Sequence, residues 1–81
     1  MSSISGNQVR AARALIGWSQ LDLANAAKIG EMTVKRFESV QNEDGGTIKT
    51  LQAIQKTLEG AGIIFSQRDE KGGPGVRLKR K

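Results

Sequence analysis

The sequence predicts a mainly α-helical fold, a bundle of short helices followed by a C-terminal β-hairpin or strand pair. Three observations predict it. Apolar residues recur at helical spacing from Val9 to Leu58. Serine and glycine punctuate that pattern where helices start and stop. Beyond Gly62 the pattern changes to β-branched and aromatic residues with a period of two.

The first helix is expected over residues 7–16. Ser5 and Gln8 have the spacing of a capping box, with Ile4 and Val9 as the hydrophobic staple around it. Val9, Ala12, Leu15 and Ile16 form its apolar set, and Gly17 is a good stop. The second helix is expected over residues 20–27. Ser19 caps it, Asp22 lies in the first turn where backbone N–H groups are unpaired, and Leu21, Ala24 and Ala27 or Lys28 follow at helical spacing. The third runs over residues 31–40 behind Gly30, a tolerable cap. QNEDGG is turn chemistry. Thr47 can cap a fourth helix with Ile48, Leu51, Ile54 and Leu58 on one stripe, ended by Gly60 and Gly62. GIIFSQ then reads as a strand, DEKGGPG as a turn and VRLKRK as a second strand. The strands pair within one chain or across a dimer; a frayed basic tail is the alternative. The expected organisation is residues 1–62 as a helical domain and 63–81 as strand, turn, strand and basic tail.

Composition narrows the chemistry. At 81 residues the chain suits one compact core. It has no cysteine and no histidine, which excludes disulfides, zinc fingers and His- or Cys-based catalysis. A reducing cytoplasm is the expected compartment. MSSISGNQVR has no apolar core region of a signal peptide, and no apolar run reaches the ~20 residues of a membrane helix. GGPG lacks the following helix and Lys-Ser/Thr of a phosphate loop, no Ser/His/Asp set exists, and Glu43 with Asp44 make no metal site alone. No enzyme, cofactor or metal is expected.

The net charge is +5 and the sequence pI about 10.1, which suggests a polyanionic partner. The charge is unevenly spread. Arg77, Lys79, Arg80 and Lys81 supply four of the five excess charges, so residues 1–75 are almost balanced at +1. Nucleic-acid binding by the body of this protein must therefore depend on where particular charges sit.

The stretch SQLDLANAAKIGEMTVKRFE, residues 19–38, places two short helices almost back to back. Ala24 allows close approach of the next helix, Ile29 plugs the turn, and Leu21, Val34 and Phe37 are expected to face the interior. This is the logic of a helix-turn-helix, in which the second helix stands proud with its outer face free.

ARALIGWSQLDLANAAKIGEMTVKRFE, residues 12–38, resembles the lambda-repressor/Cro-like (XRE) helix-turn-helix regulators. The resemblance covers residues 9–62, and its most specific parts are LIGWSQ followed by LA, then TVKRFE. It implies an all-helical domain of four or five helices, acting as a dimer on a palindromic operator. It also implies that Gln20 opens the second helix beside a phosphate and that the third helix is the recognition helix. Two positions depart from the family pattern. Lys28 stands where the turn usually holds a glycine at positive φ, an expected cost of about 1 kcal/mol or more. Gly30 stands where the cap is usually serine, at a cost of only tenths of a kcal/mol.

With Val34 and Phe37 inward, ~100° per residue turns Glu31, Met32, Lys35, Arg36 and Ser39 outward. Lys35 and Arg36 are candidates for guanine O6 and N7, with Arg36 also suited to a phosphate. Met32 is the candidate for a thymine methyl, and Glu31 for a cytosine N4 amine. Candidate backbone contacts are Gln20, Thr33, Ser39, Lys49 and Trp18, which position without reading sequence. Plainer readings stand beside these. Glu31 and Lys35 also form an ordinary i,i+4 pair, Trp18 also reads as a core or rim filler, and the basic tail as solubilising. Arg10 and Arg13 read as surface residues on the outside of the first helix.

The expected function is sequence-specific binding of double-stranded DNA by a homodimeric transcriptional regulator, with repression as the expected role. The fourth helix and the C-terminal strands, where GIIF would expose apolar side chains, are the expected dimer contacts. The alternative is a protein-interaction module on the same scaffold, an antiactivator or antitoxin that binds a protein partner and no DNA. Glu31, the irregular turn and the near-neutral body favour that alternative.

Overall fold

The computed structural model describes residues 4–39 and 48–79. The element order is α1 (Gly6–Ile16), α2 (Gln20–Ala27), α3 (Glu31–Ser39), α4 (Ile48–Gly60), β1 (Ile63–Ser66) and β2 (Gly75–Leu78). The protein is thus mainly helical, with one two-stranded antiparallel sheet among the described residues. The expected end of α3 at Val40, the QNEDGG turn, the Thr47 cap, the Glu43–Asp44 pair and the Arg80–Lys81 end of the tail lie outside the described residues. Among the described residues no helix is long and apolar enough to cross a membrane.

Local sequence chemistry builds α1 and α2 the same way. Each opens with a complete capping box. The Ser5 hydroxyl accepts from the Gln8 amide while the Gln8 side chain accepts from the Ser5 amide, and Ser19 and Asp22 repeat the exchange. Each box satisfies two amides that a helix start otherwise leaves unpaired. Each helix closes with a left-handed residue and the same bond pair. Trp18 N–H reaches the Arg13 carbonyl (2.9 Å) over Gly17, and Ile29 N–H reaches the Ala24 carbonyl (3.0 Å) over Lys28. These are Schellman-type ends.

Gly17 adopts its positive φ of 71° without strain, but Lys28 adopts φ 60° with a Cβ to accommodate. Left-handed backbone costs an L residue roughly 1–2 kcal/mol relative to glycine, which has no Cβ. Lys28→Gly is therefore expected to stabilise the fold by about 1 kcal/mol and to raise Tm by about 4–8 °C, read by thermal denaturation. The lysine side chain itself is exposed, so its removal empties no core.

The core lies where the four helices and β1 meet. Val9 and Ala12 of α1, Leu23 and Ala24 of α2, Val34 and Phe37 of α3, Ile54 and Leu58 of α4 and Ile63 of β1 are buried, with Ile4 closing the N-terminal side. Ile16, Trp18, Ile29 and Leu51 pack against this cluster half-buried. The expected inward pair Val34 and Phe37 is fully part of it. α1 crosses α3 at close range. A Cβ on Gly6 would fall 2.7 Å from the Phe37 carbonyl oxygen, so the crossing admits only glycine there.

Three expected core positions face outward instead. Leu21 is 49% exposed, and Leu23 takes the interior. Residues 21 and 23 lie ~200° apart on a helix, so only one can point in, and the packing of α2 against α3 and α4 selects the face holding residues 23, 24 and 27. Leu15 is exposed because the inward stripe of α1 is Val9, Ala12 and Ile16, one residue away. Ile48 is 76% exposed, since α4 meets the core only from Leu51 onward.

The two strands pair within the chain, Ile63 with Leu78 and Phe65 with Val76, and the hairpin packs on α1 and α4. Gln8 anchors it. This side chain is 4% exposed, and its Nε2 donates to the carbonyls of both Ser66 (3.3 Å) and Gly75 (3.1 Å). GIIF is not the exposed apolar segment expected from the sequence. Ile63 is core, and Phe65 and its partner Val76 pack against the core.

Candidate nucleic-acid interface

α2 and α3 are joined by Lys28, Ile29 and Gly30 alone. The two reversals needed in so short a link come from the left-handed Lys28 and from Gly30, whose carbonyl accepts from Thr33 and Val34 to start α3. Ile29 packs against the core and pins the link from below. α2 packs on α3 along its length, and the burial of Val34 and Phe37 fixes the rotation of α3.

That rotation decides the outer face. Met32 is 65% exposed, and Lys35, Arg36 and Ser39 are exposed. Glu31 and Thr33 are half-buried. The base-contact candidates Met32, Lys35 and Arg36 therefore share one accessible surface, with Glu31 at its N-terminal rim. An apolar thioether between cationic side chains suits base edges that carry both a methyl and acceptor atoms. Ser39 turns its hydroxyl back to the Arg36 carbonyl (3.0 Å), finishing the helix. Lys49 is exposed in the first turn of α4. Among the described residues Glu31 and Lys35 form no ion pair; the sole one joins Arg13 and Glu38.

That ion pair was hidden in the sequence, and it holds the surface in place. Glu38 is 3% exposed at the end of α3. Its carboxylate receives Arg13 Nε at 2.7 Å and Nη2 at 2.8 Å, a bidentate fork from α1, and Gln20 Nε2 at 3.1 Å from the start of α2. Arg13 Nη1 also donates to the Trp18 carbonyl (3.0 Å) in the link between α1 and α2. Arg10 donates to the Glu38 carbonyl and to Asn7 Oδ1. One buried carboxylate thus ties together three helices, with no buried side-chain polar atom left without a partner among the described residues. Charge-assisted bidentate bonds of this kind are directional as well as strong.

The hydrogen bond to Glu38 raises the Arg13 pKa above its ordinary value; burial opposes the rise and Coulombic attraction to Glu38 adds to it. Arg13 therefore stays charged throughout the accessible pH range. Arg10 is exposed, as expected of a surface residue, with its guanidinium on α3; Arg13, also expected at the surface, is half-buried and committed to Glu38. The available signal was the stripe Val34, Phe37 and Glu38, at i, i+3 and i+4, which turns residue 38 inward with the apolar pair.

Besides Ser39, two backbone-contact candidates have internal partners. Gln20 is half-buried and uses part of its amide on Glu38, leaving its second N–H free. Trp18 is half-buried and packs against the core, and its backbone is held at both N–H and C=O by Arg13. Comparison with protein-family models and with curated proteins finds no match for this chain.

Proposed function

We propose that this protein is a sequence-specific DNA-binding regulator of the lambda-repressor/Cro-like helix-turn-helix type, with α3 as its major-groove reader. The observation that carries the reading is the pairing of α2 and α3 across three residues, with α3 held by Val34, Phe37 and Glu38 and its outer face open at Met32, Lys35 and Arg36. A helix so mounted projects side chains from a rigid support into a groove about 12 Å wide. Lys35 and Arg36 read guanine, Met32 meets a thymine methyl, and Glu31 accepts from a cytosine amine. Lys49, Thr33, Ser39, Trp18 and the free N–H of Gln20 stand toward the phosphates. The cytoplasm is the compartment that fits this role.

The protein acts as a homodimer on a palindromic site, and repression follows from occupying promoter DNA. Two recognition helices then enter the groove about 34 Å apart, one turn of the duplex. A gel-shift and footprint on the DNA upstream of the protein's own gene tests this. We expect protection of two half-sites one turn apart. With about six phosphates neutralised, affinity should fall about 10³-fold between 50 and 200 mM salt. Equal affinity for unrelated duplexes would reduce the function to nonspecific binding.

A further inference from the structure

We propose that the outer edge of β2, together with the neighbouring flank of α1, is a docking groove for an extended acidic segment of a partner protein, which joins the hairpin as a third strand. This surface is separate from the α3 face.

The ladder geometry leaves that edge unpaired. Lys79 N–H donates to the Gly62 carbonyl at 2.6 Å. Antiparallel pairs alternate between bonded and non-bonded, so Ile64–Arg77 and Ser66–Gly75 are bonded pairs, while Val76 and Leu78 turn their N–H and C=O groups away from β1. Gln8 reaching both the Ser66 and Gly75 carbonyls with one nitrogen agrees, since those oxygens must lie between the strands. Among the described residues, the outward groups of Val76 and Leu78 have no hydrogen-bond partner, and Leu78 is 50% exposed.

Beside this edge lies an open groove of about 270 Å³. Asn7, Gln8 and Ala11 of α1 line one side and residues 74–76 the other, with no β1 residue among them. Ser5 completes the lining, so the groove opens between the start of α1 and the start of β2. Leu15 continues the α1 stripe of Asn7 and Ala11 at i+8 and is exposed. An edge strand next to a helix is a geometry that binds extended peptides: main-chain bonds supply affinity, and side-chain pockets supply selectivity.

Charge selects the occupant. Neither α1 nor β2 carries a carboxylate, and Arg77 of β2 and Lys79 just beyond it are exposed. Asp69, in the turn between the strands, folds its carboxylate onto the Lys71 and Gly72 amides (2.8 and 3.1 Å). A second copy of this chain fits poorly. In the register that uses both outward pairs, the Arg77 side chains of the two copies stand face to face, and like charges directly opposite destabilise a sheet. A nucleic-acid backbone fits poorly too, because phosphates offer acceptors where the outward carbonyls of Val76 and Leu78 need donors. Peptide N–H groups supply those donors, and acidic side chains answer Arg77 and Lys79.

The test uses the full chain, ¹⁵N-labelled, titrated with a short capped peptide that alternates glutamate and valine. We expect amide shifts at Val76, Leu78, Asn7 and Ala11, and binding about tenfold or more weaker for the same peptide with lysine in place of glutamate. N-methylation of alternate peptide amides should abolish binding, an arm that leaves the protein untouched. Leu78→Pro removes an outward N–H at an edge position that tolerates proline, and should lose the peptide while keeping duplex affinity. Shifts confined to other surfaces, undiminished binding of the N-methylated peptide, or self-association through this edge would overturn the proposal. So would loss of duplex affinity in Leu78→Pro, which would make the edge part of the nucleic-acid face.

Discussion

Replacing Lys35 and Arg36 together by alanine is expected to weaken operator binding at least about 30-fold and to leave the thermal transition in place. Each good base contact by such a side chain supports ~1–3 kcal/mol of discrimination, and two such losses set the lower bound. Both side chains are exposed on α3 and make no hydrogen bond or ion pair among the described residues, so their truncation removes nothing the fold depends on. Surface changes of that kind usually stay within about 0.5 kcal/mol of stability. Gel-shift titration gives the affinity, and circular dichroism through the melt gives the fold. Unchanged binding by the double variant would move the reading surface off α3. Binding that fell only with the melting temperature would mean that the two cations are structural.

The second large effect lies inside the molecule. Glu38→Ala should destabilise by about 3–5 kcal/mol, because it leaves Arg13 partly buried without its counter-charge and frees the Gln20 amide. A domain of this size has only about 5–15 kcal/mol in total, so the variant should unfold at much lower urea. Arg13→Ala should cost a similar amount, and the double variant less than the sum, since each single change strands a partner that the double change removes. Equilibrium urea unfolding of the four proteins closes the cycle. Additive losses would show that the fork contributes no coupling and that Glu38 is held by its surroundings alone. Because Glu38 ties the last turn of α3 to α1 and α2, its loss should also weaken duplex binding by loosening that end of the helix.

What could be read from the sequence divides by range. The caps at Ser5 and Ser19, the Gly17 stop and the inward pair Val34 and Phe37 are local features. Each is settled by residues within four positions of one another, and each is legible. The choice between Leu21 and Leu23 is not local. α2 is two turns long and offers a leucine on either face, and only its contact with α3 and α4 decides. Ile48 reads as core because spacing alone cannot say where a helix first meets its neighbours. The hairpin was legible as two strands, but its burial was not, because Gln8 lies 58 and 67 positions from the carbonyls it holds.

Charges were the hardest to place. Arg13 and Glu38 look like solvated surface residues in sequence, as most arginines and glutamates are. They meet across 25 positions in a geometry that only the folded chain supplies. Exposure along α3 was easier to read. The outward set of α3 follows from rotating the helix away from Val34 and Phe37, and Met32, Lys35 and Arg36 are indeed exposed together. Glu31, which the rotation also turns outward, is half-buried.

The most direct test of the central claim is an NMR titration of the labelled protein with duplex DNA from its own promoter at low ionic strength. We expect the largest amide and side-chain shifts along α3, at Met32, Lys35 and Arg36, with smaller ones at Gln20 and Lys49. An absence of shifts on α3 at saturating duplex, or shifts confined to the hairpin, would contradict it.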